Sequence, residues 1–421
     1  MRRQEVVLSF GVLSLLLLLI VGCGGGGGGN GGGGVTGVPV TATITGAAFV
    51  AVQDGKTGAW QRLTGSGPNY NFTVTAADRH YSIAWVCGGT KPQVNIVHTT
   101  TAETTSIAAT CPSAPSTITV SGSVQGLGSG QGALVAISSA AQTVAVNGGT
   151  FNIAITPGSH DIIAVRSGST GPNRVWLQRN ASFNNNTSGL LIDFNQSDSP
   201  SVRVFDVSTG TLTVSDTSPF ETVNSQIALQ SSGRSLLIGL GSGLGQALLQ
   251  YPIIPGDKLA VGENFRIEVN NQDRSRGEVR GLNNLPGPPS IALPTPFDSP
   301  NVTFSTAGAL TFTVQWGAYA ENPVRGYLLT LGGDQQQREW RIVISTGWLD
   351  GATQYTTPVL NTLSGWDSAA WDIQRGRLVD ARFTVWVSPN SMQQLLDYQR
   401  TGIAPTGFQL RFATRPVTLT P

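Results

Sequence analysis

Val144-Ala-Val-Asn-Gly-Gly-Thr-Phe-Asn-Ile-Ala-Ile155 carries the plainest structural message in the chain. Val144 and Val146 alternate with Ala145, and Phe151, Ile153 and Ile155 alternate with Asn152 and Ala154. That period of two sends one face of a strand into a core. Between the runs stands Asn147-Gly148, which tolerates the positive φ that a tight β-hairpin requires. The stretch therefore reads as two strands and a hairpin. Ile118, Val120, Gly122 and Val124 alternate upstream, as do Ala133, Val135 and Ile137, and Pro157-Gly158 turns the chain again into residues 162–165.

The same pattern extends in both directions, with almost no helical periodicity from residue 40 onward. Ala42, Ile44 and Gly46 alternate before the turn at Asp54-Gly55, and Phe72 and Val74 precede the polar corner Asp78-Arg79-His80. Tyr81-Ser-Ile-Ala-Trp-Val-Cys87 is rich in aromatic and β-branched residues, as a central sandwich strand should be. Val94, Ile96 and His98 share one face, which makes His98 a strand-end histidine rather than a ligand. Pro112 and Pro115 mark a joint between a first sandwich, 38–112, and a second, 113–198. Arg166, Arg174 and Arg179 follow its last strand and read as solvated or paired with Asp193.

A β-rich region of unclear type, 199–298, ends in a connector containing Pro286, Pro288, Pro289, Pro294 and Pro296. Within it Gly239-Leu-Gly-Ser-Gly-Leu-Gly245 misses the G-x-G-x-x-G spacing of a nucleotide loop, and with Gly126-Leu-Gly-Ser-Gly130 it reads as a flexible loop. The mixed charges of 273–280 read as a solvated hairpin or loop. In the last region, 299–421, Leu310, Phe312, Val314 and Trp316 make one strand face. Trp340, Ile342 and Ile344 make another, and Phe383, Val385 and Val387 leave Trp386 out of phase on the opposite side. Ser391 and Gln394 have capping-box spacing, with Met392, Leu395 and Leu396 on one apolar face, so 391–399 reads as a short helix. The fold class is all-β, a series of tandem β-sandwich modules.

Two of these regions resemble known families. Val120-Ser-Gly-Ser-Val124, the Asn147-Gly148 turn leading to Phe151 and the return after Gly158 resemble the carboxypeptidase-regulatory-like modules, transthyretin-type sandwiches over about 50 residues. The resemblance implies a non-catalytic spacer, stabiliser or binding unit. The strand ending in Trp316 and those that follow resemble a fibronectin type III or immunoglobulin-like sandwich, from which the 391–399 helix departs.

The chain's first residues place it. Arg2 and Arg3 precede an apolar run over residues 6–21, short for a membrane-spanning helix, which needs about 20 apolar residues, and typical of an export signal. It ends Leu19-Ile20-Val21-Gly22-Cys23, which resembles the lipobox of bacterial lipoproteins. That implies cleavage after residue 22 and lipidation of Cys23, palmitate included, with two or more acyl chains giving stable anchoring. Residues 24–34 are glycine except Asn30 and form a tether, within a linker over 23–37, reaching roughly 17–20 Å. The expected location is the membrane surface of the bacterial cell envelope: the outer membrane in a double-membraned host, otherwise the outer face of the cytoplasmic membrane. With Cys23 carrying lipid, Cys87 and Cys111 remain, and an even remainder in an exported protein suggests a disulfide.

Charged residues are only 12% of the sequence, and lysine occurs only at 56, 91 and 258. Losing residues 1–22 removes Arg2, Arg3 and Glu5, taking the formal charge from +1 to zero, so nothing electrostatic favours nucleic acid. His80, His98 and His160 have no ligand spacing, and neither a metal nor a cofactor is expected. Trp348, Trp366 and Trp371 lie in loop-like sequence beside Asp350, Asp367 and Asp372. An exposed indole beside a carboxylate suits a sugar, the ring stacking on its apolar face and the carboxylate accepting hydroxyl protons; rings capping the sandwich ends are the plainer explanation. Asp367 and Asp372 could also form a glycosidase-like pair, although there is no G-x-S-x-G elbow and no free cysteine. The expectation is a non-catalytic envelope protein with a structural or interaction role, its partner an envelope polysaccharide or another envelope protein. The alternatives are a carbohydrate-binding lipoprotein using those tryptophans, and a hydrolase.

Overall fold

At Asn147-Gly148 the chain does turn, with Gly148 at φ 71°, but the flanking strands do not pair with each other. Ala140–Val144 joins Gly132–Ile137, whereas Thr150–Ile155 joins Ile118–Gln125 in a different sheet. The turn is a corner between two layers. Both strands are amphipathic, and the corner lets Val144 and Phe151, Ile153 and Ile155 meet the same core from opposite sides. Asn147 holds the corner by accepting the Leu127 N–H through Oδ1 at 3.1 Å.

The structure is a computed structural model that describes residues 37–421 except 66, 114–115, 232–233, 245–247, 286–288 and 334–336. The signal, Cys23 and the glycine tether lie outside the described residues, as do Pro115, Gly245, Pro286 and Pro288.

The protein is all-β, and four sandwich cores follow one another along the chain. In the first, the sheet Asn69–Val74, Val38–Thr45, Ser106–Thr110 covers Val50, Ile83, Trp85 and Val97. In the second, Ile118–Gln125, Thr150–Ile155 and Thr187–Asp193 face a five-stranded sheet across Val120, Phe151, Ile153, Val135, Ile162 and Trp176. In the third, Leu248–Ile253, Ser208–Ser215 and Ser290–Ala292 pack through Leu212 and Val214 on Ile227, Phe265 and Ile267. In the fourth, Asn301–Phe304, Phe312–Gln315 and Gln354–Thr356 pack through Val314 and Tyr355 on Leu329, Ile342 and Phe383.

Cores one, three and four share a wall. Twelve strands form one sheet, in the order Arg234–Leu244, Thr222–Ser231, Asn264–Asn271, Arg276–Leu282, Gln409–Leu419, Val379–Val387, Val324–Gly333, Arg338–Ser345, Gln93–Thr100, His80–Cys87, Ala47–Asp54, Trp60–Arg62. The N-terminal strands join through a parallel pairing of Val94 with Trp340 and Ile96 with Ile342. This explains why His80–Cys87 is buried throughout. Ile83 and Trp85 face the first core, while Ala84 and Val86 face the fourth, the near-continuous apolar run of a strand covered on both sides.

Three local expectations change. Residues 239–244 lie in a strand rather than a loop; a Cβ on Gly241 would stand 3.0 Å from Leu249, so the glycine lets that side chain approach. The hairpin at 273–280 is not simply solvated: Arg276 and Glu278 are buried. Arg276 donates to Glu221 and to the Pro294 carbonyl, while Glu278 meets Arg280 and Arg411. Arg166, Arg174 and Arg179 lie within strands of the second sandwich, not beyond its last one, and take partners other than Asp193. Arg166 donates to Asn173 and the Gly126 carbonyl, Arg174 donates to Asp206, and Arg179 clamps Glu263 with bonds of 2.7 and 2.8 Å.

Other expectations hold. Trp386 faces a small core with Met392 and Leu395, on the opposite side of its strand from Phe383 and Val385. Helix α1 spans Thr346–Leu349, α2 Ser368–Trp371 and α3 Met392–Thr401. Helix α3 starts on the Ser391–Gln394 capping box and ends on Gly402 in the left-handed region. Cys87 and Cys111 are disulfide-bonded.

Candidate functional site

The tryptophans singled out in the sequence are half-buried against the fourth core rather than presented as an exposed platform. Trp366 and Trp371 meet edge to face at 5.1 Å, and both rings also touch Phe49, at 5.4 and 5.7 Å. The Trp366 Nε1–H donates to Asp372 Oδ1 at 2.8 Å, and the Trp340 Nε1–H to the Trp371 carbonyl at 2.8 Å. Asp367 is the N-cap of α2, accepting the Ala370 N–H at 3.0 Å. Burial pushes the Asp372 carboxyl up from its ordinary value, against the hydrogen bonds from Trp366 and Ser368 that pull it down. Asp372 lines a cleft of about 530 Å³ with Trp340, Phe312, Val359 and Ser368. The structure thus brings Trp366, Trp371, Asp367 and Asp372 together, with the two half-buried indoles packed edge to face on each other and against Phe49.

Trp348 packs elsewhere. Its ring lies 4.5 Å from His98 and 6.1 Å from Tyr355, with Lys56 Nζ 5.4 Å from its centroid. His98 is buried between Ser82, whose Oγ is 2.6 Å from Nδ1, and the Tyr355 hydroxyl, 2.8 Å from Nε2. A serine hydroxyl against an imidazole is the first half of a nucleophile–base arrangement. Here, however, Ser82 and Tyr355 are sealed from solvent, and desolvation lowers the imidazole pKa to about 3. His98 is a neutral core histidine. Among the described residues no group of three or more His, Cys, Asp or Glu could hold a metal ion. No helix among them is long and apolar enough to cross a membrane.

A larger concavity escaped the sequence reading. Opposite the third and fourth cores, the twelve-stranded sheet presents its other face, carrying Thr330, Thr384 and Thr414 where Leu329, Phe383 and Ala413 point inward. Helix α3 covers part of it, and the rest is a trough. Its central cavity, about 670 Å³, is lined by Glu268, Glu339 and Asp380, by Arg274, Arg341 and Arg382, and by the apolar Val279, Leu328, Trp386, Leu410 and Phe412. It shares Arg341 and Gln399 with a cavity of about 470 Å³ beside Trp85 and Asn95. On the other side it shares Glu268 and Arg274 with one of about 530 Å³ lined by Asn224, Gln226 and Asn270. That last cavity meets, at Gln272, a recess bordered by Phe220, which is 90% exposed. Burial pushes the Tyr398 hydroxyl at the trough wall up to about 12, with Glu268 adding to the shift. Each outward threonine is visible in sequence as the polar half of a strand; what brings them together is pairing between distant strands.

No family model matches the sequence, and no curated protein matches it. Among solved structures, a crystal structure described as that of a "putative cell adhesion protein" from Bacteroides fragilis is 8% identical, with 49% of this chain and 99% of that one covered and a TM-score of 0.17. The FN1–FN3 domains of chicken CNTN1 are also 8% identical, over 82% of this chain and 95% of that one, with a TM-score of 0.17. At these scores neither likeness extends to a shared overall arrangement.

Proposed function

We propose that this is a non-catalytic protein of the bacterial envelope, held at a membrane by lipid on Cys23 and acting by contact with another envelope component. The observation that carries the contact reading is the trough. It is an extended concave surface on a compact unit spanning residues 37–421, and its lining is mixed in charge and polar. The two carboxylates that sequence reasoning offered for chemistry have structural occupations: Asp367 caps a helix and Asp372 holds an indole. The lipobox-like ending at Cys23 supports the anchor, and the glycine tract after it would give the body reach.

Two measurements test this. In detergent phase separation the full chain should enter the detergent phase and the Cys23→Ser form should remain aqueous; equal partitioning would remove the anchor. The full chain in mild detergent should co-sediment saturably with envelope fragments of a bacterial host without releasing soluble products. Absence of association, or steady turnover, would remove the contact reading.

A further inference from the structure

We propose that the trough across the twelve-stranded sheet binds a linear, uncharged polysaccharide strand. The proposal rests on the contact reading above and names the ligand class and the surface.

The trough is long. The central cavity and the one beside Asn224 together run from the strand Arg338–Ser345 to the strand Arg234–Leu244, eight strands and seven spacings of about 4.8 Å, or roughly 34 Å along the sheet. The Arg341–Gln399 hydrogen bond of 3.3 Å separates them from the cavity beside Trp85. A site of that length fits an extended polymer and greatly exceeds a monosaccharide. Its rigidity comes from the ladder beneath it and from side-chain ties such as the 2.8 Å hydroxyl contact between Thr384 and Thr414.

The lining chemistry selects among polymers. The lining of the central cavity holds three carboxylates and three guanidiniums, so a polyanion gains no net attraction. A peptide adding as a strand needs a free ladder edge, yet every strand between the two ends of the sheet is already paired on both sides. A peptide helix docks through an apolar groove; here Val279, Trp386 and Leu410 of the lining are buried, and the half-buried residues that remain are mostly polar, Thr330, Thr414, Asn224 and Gln226 beside Leu328 and Phe412. Amides and hydroxyls that both donate and accept match sugar hydroxyls, which do the same. Carboxylates and guanidiniums at fixed positions strengthen such bonds. Aromatic surface is present too: Phe412 in the centre, half-buried, and Phe220, 90% exposed, in the adjoining recess that meets the trough at Gln272. Ring faces of this kind pack on the apolar face of a sugar.

The test uses the full chain in mild detergent, titrated calorimetrically with dextran, a soluble β-glucan and galactomannan as neutral polymers, and with alginate as the anionic control. Arg382→Ala combined with Asn224→Ala, and separately Phe220→Ala, alter the exposed lining and should leave the melting temperature unchanged. The expected result is saturable binding of at least one neutral polymer, weakened about tenfold or more by the double substitution, as loss of two hydrogen bonds would produce. Wild-type affinity in both variants would move the site off the trough. Binding to alginate alone, or silence with all neutral polymers while envelope fragments still co-sediment, would overturn the polysaccharide assignment and leave the contact reading standing. Loss of envelope association altogether would remove both.

Discussion

His98 and Tyr355 are hydrogen-bonded, Nε2 to hydroxyl at 2.8 Å, across 257 residues of sequence. The contact links a strand of the first sandwich to the outer sheet of the fourth, and Ser82 completes it on the other side of the imidazole. Tyr355→Phe keeps the ring and leaves the His98 nitrogen without its partner. The expected cost is about 1–3 kcal/mol, the range for an unsatisfied buried polar group, measured by chemical denaturation at pH 7.

The same histidine makes stability depend on pH. Its folded pKa lies near 3, below an unfolded value of about 6.5. The unfolded chain therefore binds the proton more readily, and stability rises with pH across this window. The contribution of His98 is fully present above about pH 6.5 and is lost as pH falls toward 3. Denaturation midpoints between pH 7 and pH 4 should drop more steeply for the wild type than for His98→Gln, which carries no titrating group there. Parallel curves would remove His98 as the cause.

Arg276 and Glu221 form a nearly buried, bidentate pair that also fastens the Pro294 carbonyl. Breaking one side should be costly, about 3–5 kcal/mol, because a desolvated charge is left unpaired. Glu221→Gln and Arg276→Met should each lower stability strongly, and the double substitution should recover a large part of the loss. An additive double mutant would show that the two side chains act independently.

The disulfide between Cys87 and Cys111 closes a loop of 24 residues. On the loop-entropy account, its removal by a Cys87→Ser, Cys111→Ser pair should cost about 3 kcal/mol. Thermal melting with and without reductant checks this: the wild type should lose stability on reduction, and the double serine form should be indifferent to it.

Much of the fold is legible in local sequence, because a side chain's face follows from alternation alone. Trp386 against Phe383 and Val385, and the α3 cap at Ser391 and Gln394, need nothing distant to be read. What alternation cannot specify is which strands share a ladder, since backbone hydrogen bonds carry no residue signature. Hence the parallel pairing of Val94 with Trp340 and the corner at Asn147-Gly148 are visible only in three dimensions. The burial of Arg276 and Glu278 was hidden for a related reason: a charged residue looks solvated until its partners, Glu221 and Arg411, are brought from elsewhere in the chain. The trough follows the same logic. Thr330, Arg382 and Asn224 are ordinary outward residues until three distant segments join one sheet.

On the proposed function the trough makes the contact and the tryptophans pack the fourth core, and envelope co-sedimentation of two variants separates those roles most directly. Trp366→Leu with Trp371→Leu removes the aromatic faces while keeping apolar side chains on the fourth core; Arg382→Ala with Asn224→Ala alters the trough. The tryptophan form should melt at a lower temperature and sediment with envelope fragments as the wild type does, and the trough form should melt normally and stay in the supernatant. The opposite pattern, with association lost in the tryptophan form at an unchanged melting temperature, would contradict the account and restore Trp366 and Trp371 as the contact surface.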